Sequence, residues 1–274
     1  MAVIAPVASS HDWHASVKNK LKQTIKAEDQ LTSCLKVPEF ALKWATVFGA
    51  QAEAVSNTST HLTLTRYAIA LISLPVKIWD VVAEGVKQLD LLNKVSRTAS
   101  AVAACVFSGF FSILNKLAAL GNACCDSLTL LASKTVRAIN LTAVQAAAAS
   151  IANMAFLAFS SIYGTAEEVV KFCKNRVVCM DNANPVEKKS EAKAGMMHSM
   201  LRIAMWVSYL ALAAIVIVAI STGATFAPWI TLACSTSALI FTLAAFFYKK
   251  HNNLSDEGVA KVVAATPKDE TPKA

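Results

Sequence analysis

In 274 residues the chain carries 55% hydrophobic and only 16% charged residues, with a mean hydropathy of +0.47, whereas soluble domains approach about 25% charge. Its net charge of +8 comes from basic residues that are scattered or flank apolar segments. With no Arg/Lys stripe interleaved with aromatics, a nucleic-acid groove is excluded as a reading, and the charges are those of a membrane protein whose topology they set.

The N-terminal "MAVIAPVASSHDWHASVKNK" lacks a basic segment followed by an apolar core, so it does not read as a secretory signal peptide. It is expected to be a flexible leader. His11 and His14 fall at i,i+3 on a helix but have no carboxylate to complete a metal set. Val17, Leu21, Ile25 and Leu31 then give one apolar face opposite lysines, an amphipathic helix that Pro38 is expected to end. Residues 1–36 are therefore read as leader plus amphipathic helix.

Residues 37–180 read as a helical region, either a bundle or interfacial, with possible extra membrane segments. Leu64, Tyr67, Leu71, Leu74, Ile78 and Val82 recur at steps of three and four, and Pro75 is expected to bend or break that helix. Its uncharged centre, 67–76, is too short to cross a bilayer. The stretch 98–115 is at the short limit for a span, and 138–166 is long enough but diluted by Asn140, Gln145, Asn153 and several serines. For both, packing in a bundle or at an interface is favoured over crossing. "TAEE" after Gly164 has the pattern of a capping box, Thr165 with Glu168, and predicts a helix start. Cys173 and Cys179, six residues apart, fall on different faces of that helix, and the remaining cysteines sit in apolar or near-apolar context, so a structural role is expected for all. "DNANP" at 181–185 reads as a break.

The run from 203 to 248 holds no Asp, Glu, Lys or Arg, about twice the ~20 residues that one crossing needs. Gly223 and Pro228 interrupt it. The run therefore divides into two membrane helices, 203–221 and 229–248, joined by a turn, so that residues 186–250 form a transmembrane hairpin. Arg202, Lys249 and Lys250 flank its outer ends and the turn is uncharged, which places both ends in the cytosolic compartment. Trp206, Trp229 and Tyr248 are suited to the membrane interface. Residues 251–274 combine Pro267, Pro272 and mixed charge, and predict a mobile tail in which Thr266 and Thr271 are candidate sites of proline-directed phosphorylation. The fold class is thus an all-α membrane protein, an amphipathic and apolar helical region followed by a two-helix hairpin.

This layout, "IAMWVSYLALAAIVIVAIS", the turn "TGATFAP" and "WITLACSTSALIFTLAAFFY" with otherwise helical parts, resembles the chlamydial inclusion membrane (Inc) proteins. The resemblance implies type III secretion, insertion into the membrane of a pathogen-containing vacuole, cytosolic termini, and binding of host cytosolic proteins. It implies a virulence effector acting in host–pathogen interaction. No GxGxxG, P-loop, GxSxG or HExxH pattern is present, so no catalytic, cofactor-binding or metal residue is assigned and an enzyme is not expected. A lipid bilayer and a host protein are the expected partners. An alternative from another class is a membrane-shaping protein acting through amphipathic segments at 17–35 and 62–95.

Overall fold

Small and straight-chain residues with few glycines favour helix along most of the chain, and six long helices form among the described residues. The computed structural model describes residues 10–49, 53–94 and 99–254. In order these are α1 (Ser10–Val47), α2 (Glu53–Lys94), α3 (Ala99–Ala132), α4 (Ala143–Met180), α5 (Val186–Thr222) and α6 (Pro228–His251). The expectations for a leader at residues 1–9 and for a mobile tail from 255, with Thr266 and Thr271, lie outside the described residues, as do the side chains of His11 and His14.

Two expected helix boundaries, at Pro38 and at Thr165, are corrected. Pro38 lies inside α1, and Pro75, expected to bend or break its helix, does not break α2, although an internal proline removes one backbone hydrogen bond and costs about 3 kcal/mol. Contacts between helices carry the chain across both. Just past Pro38, Glu39 is bound to Arg66 of α2 at 2.6 Å. Pro75 is bracketed by that α1 contact on one side and by two α3 contacts on the other, Asp80–Lys116 at 2.7 Å and Ser112 to Glu84 at 2.7 Å. The expected capping box at Thr165 is also overturned, because α4 runs through it. Glu168 turns its carboxylate to Lys171 and Arg202 instead of back to the chain. The working capping box lies at Thr142, whose N–H donates to Gln145 Oε1 at 2.9 Å while the Gln145 N–H donates to Thr142 Oγ1 at 3.3 Å.

The break expected at 181–185 and the turn expected at 222–228 are both present, the turn as residues 223–227 between α5 and α6. After α5, Gly223 takes the left-handed conformation with φ +67°, Ala224 N–H donates to Thr222 Oγ1 at 3.2 Å, and Pro228 opens α6 where its missing N–H costs nothing.

The chain divides into two units, Met1–Tyr163 with Ser208–Leu239, and Gly164–Val207 with Ile240–Ala274. Within the first, α1 packs on α2 and α2 on α3, consecutive helices running antiparallel. Asn153 of α4 donates to Asp126 of α3 at 3.1 Å, and Gly121 of α3 lets the Phe156 ring approach to 2.5 Å of where a Cβ would stand. Lys36 donates to the Tyr209 hydroxyl at 3.4 Å and the Trp44 indole to Thr236 Oγ1 at 2.9 Å, which ties α1 to α5 and α6. The second unit is built on an antiparallel pair, the C-terminal part of α4 against the N-terminal part of α5.

Candidate functional site: an apolar exterior and a polar arm

Four helices are long and apolar enough to cross a membrane: 102–132, 143–180, 186–222 and 228–251. Only 11%, 6%, 11% and 22% of their most apolar windows is buried inside the protein. In water this would be an exposed apolar surface on the scale of whole helices, which monomeric soluble proteins do not carry. The fold is all-α, with several long apolar helices consistent with a multi-spanning helical membrane protein. The two segments at 98–115 and 138–166, for which bundle or interfacial packing was favoured, overlap α3 and α4, which meet the same criteria of length and composition as α5 and α6.

In the first unit two carboxylates are held by several partners each. Glu39 is 1% exposed; its carboxylate receives Lys43 at 2.5 Å, Thr63 at 2.8 Å and Arg66 at 2.6 Å. Burial pushes this carboxyl up, but the Arg66 and Lys43 charges and hydrogen bonds outweigh it and hold the group below its ordinary value. Glu84 is arranged similarly, accepting from Ser112, from Gln88 and from Lys87 at 3.3 Å. Burial again raises it, and these hydrogen bonds with the Lys87 charge leave it lowered. A shallow cleft of about 260 Å³ in the first unit is lined by Phe40, Lys43 and Val47 of α1 and by Pro228, Leu232 and Ser235 of α6.

In the second unit the paired ends of α4 and α5, together called the arm, carry most of the polar contacts. From Gly164 toward the α4–α5 turn, Trp206 first lies against Gly164, in space a β-carbon would need. Next, Glu168 is buried and meets Lys171 at 3.1 Å and Arg202 at 3.7 Å. Near the end, Cys179 Sγ approaches the Lys189 carbonyl at 3.6 Å and Met196 Sδ at 3.9 Å. Asp181 closes the turn, accepting from Ala183 N–H at 2.9 Å and Asn184 Nδ2 at 3.2 Å. Among the described residues, Glu168 Oε2, His198 Nδ1 and Ser199 Oγ are buried without a hydrogen-bond partner.

The residues singled out in the sequence separate into two groups. Gly223 and Pro228 stand together at the α5–α6 turn. Arg202 and Trp206 belong to the arm, the guanidinium 5.5 Å from the indole centroid, so Trp206 is half-buried against α4. Trp229 is exposed at the start of α6, and Tyr248, Lys249 and Lys250 close it, Lys250 exposed and the other two half-buried. All seven cysteines are free thiols, Cys173 exposed and Cys179 half-buried, six residues apart and so on different faces of α4. Among the described residues no three His, Cys, Asp or Glu are grouped to hold a metal ion. Sequence reading missed the Glu39–Arg66 and Glu84–Ser112 links, whose partners lie 27 and 28 residues apart with no local pattern to pair them. The chain matches no known protein family, no curated protein and no solved structure.

Proposed function

We propose that the chain is a membrane-anchored interaction protein. In this reading α5 and α6 form a transmembrane hairpin turning at Gly223–Pro228, α3 and α4 make two further crossings, and the arm and both termini lie in the cytosol, where they bind protein partners. The observation that carries the reading is the low burial of four span-length apolar helices, a surface that hydrocarbon covers at no cost. Charge supports the orientation. Lys171, Lys174, Arg176, Lys188, Lys189, Lys193 and Arg202 flank the α4–α5 connection and Lys249 and Lys250 end α6, whereas Lys134 and Arg137 alone occupy the α3–α4 connection and residues 223–227 carry no charge. The bilobed layout supports a bacterial effector, delivered by type III secretion to the membrane of a pathogen-containing vacuole, with host cytosolic proteins as its partners.

Epitopes inserted at 183, at the C-terminus, at 137 and at 224 test this in cells whose plasma membrane alone is permeabilised. The first two are expected to be stained and the last two protected. Staining at 224 equal to that at 183, or release of the protein by alkaline carbonate, would overturn it.

A further inference from the structure

Beyond Gly164, α4 has two different faces. Glu168 and Asn175 are buried against the rest of the protein, and Lys171 is half-buried with them. On the opposite side Val170 is 52% exposed, Val177 68% and Met180 69%, and Cys173 is exposed between them. The spacing 170, 173, 177, 180 alternates three and four residues, the a and d positions of two heptads. In the crossing proposed above, lipid does not cover this stripe. The apolar part of α4 that suffices for a crossing ends by Ala166, and Glu167, Glu168, Lys171, Lys174 and Arg176 follow it, so the stripe stands in water.

We propose that this stripe is a parallel homodimer seam, on which Val170, Cys173, Val177 and Met180 of one chain meet the same residues of a second copy. The inference rests on the membrane anchoring proposed above. Two copies inserted in one bilayer carry α4 in the same direction, so their stripes meet parallel and in register about a two-fold axis along the membrane normal. Flanking charge fits that occupant. In the same heptads Arg176 takes position g and Asp181 position e, and a parallel pair sets the g residue of one chain against the e residue of the next heptad in the other. Arg176 of each copy thus faces Asp181 of the second copy, opposite charges on both sides of the seam. Both residues are exposed. Asp181 keeps its bonds to Ala183 and Asn184, and a carboxylate has lone pairs left for a guanidinium.

The full chain in membranes, with Cys173 as its only cysteine, is oxidised with copper phenanthroline, and carbonate extraction of the same membranes reports anchorage separately. A disulfide-linked dimer is expected. Cys179 as the only cysteine, on a different face, is expected to give none, and Val177→Glu to lower the Cys173 dimer by about tenfold, the effect of a like-charge pair at a seam position. Stepwise photobleaching of the otherwise unaltered chain, labelled at its C-terminus and diluted in liposomes, is expected to show two steps and, with Val177→Glu, one. An anchored chain that gives no Cys173 dimer, that gives equal dimer from Cys179 or with Val177→Glu, or that bleaches in one step overturns the seam. A dimer that forms only after deletion of residues 255–274 overturns it too, because the tail is then the occupant.

Discussion

Trp206 of α5 occupies the space that a β-carbon on Gly164 of α4 would need, and Phe156 does the same to Gly121. Each helix crossing is closed by an aromatic ring laid on a glycine. Gly85 of α2 has nothing within 4 Å of its would-be β-carbon. Gly164→Ala and Gly121→Ala are therefore expected to destabilise by about 1–3 kcal/mol through overpacking. Gly85→Ala in a helix interior is expected to stabilise by about 0.5–1 kcal/mol. Thermal unfolding of the three variants in detergent checks the opposite signs.

Glu39 makes stability depend on acid. Its carboxyl is held below its unfolded value by Arg66 and Lys43 against the opposing effect of burial. A lowered folded pKa means that the stabilisation is fully present above the unfolded value, about 4.3, and is lost as pH falls through the folded one. Arg66→Met removes the strongest cation, leaves burial to dominate, and is expected to cost about 3 kcal/mol at neutral pH, at the lower end of broken buried pairs because Lys43 remains. With the folded carboxyl then raised above its unfolded value, the variant should gain stability as pH falls where the parent loses it, and Glu39→Gln should flatten the parent's slope. Midpoints of unfolding from pH 7 to 3 measure all three.

Ile240 separates lipid from water. It lies midway along α6 and is 57% exposed, so an arginine there on a water-facing helix would cost almost nothing. In hydrocarbon the same change costs about 2.5–3.5 kcal/mol of insertion free energy. Ile240→Arg is expected to lower carbonate-resistant membrane association of a chain carrying only the 186–254 hairpin by at least tenfold. Unchanged association would show that α6 does not cross. Ala213 is a poorer probe because it is fully buried and an arginine there also disrupts packing.

At the α5–α6 turn, Gly223 sits at φ +67° with open space around it, so any penalty for a side chain comes from the backbone alone. Gly223→Val is expected to destabilise by about 1–2 kcal/mol, and Gly223→Asn by much less, since Asn tolerates the left-handed conformation. Comparing the thermal midpoints of the two variants isolates that conformational cost.

Much of the architecture was legible because it depends on local chemistry. The uncharged run around Gly223 and Pro228 and the "DNANP" break follow from composition and turn residues within a few positions. Pro38 and Thr165 misled for the converse reason. Each is a genuine local stop or start signal, overridden by contacts that bind the same helix on one or both sides of it, such as Glu39 to Arg66 and Glu168 to Arg202. The role of Trp206 was hidden similarly. An aromatic beside Arg202 at the edge of an apolar run suits a membrane interface, and only the pairing of α4 with α5 brings it onto Gly164. The α4 stripe was invisible until Asn175 and Glu168 were seen to face inward, since the sequence alone has too few heptads to separate a seam from a buried face.

The length of α5 sets a physical limit on what the arm can sense. In the anchoring proposed above, with Arg202 at the membrane surface, the 16 residues back to Val186 rise about 24 Å along the helix, roughly three screening lengths at physiological salt. Lys188 and Lys189 are thereby insulated from the surface potential of their own leaflet. Lipid composition in that membrane should leave their charge environment unchanged, so that the arm's tip reads only what approaches from the aqueous side.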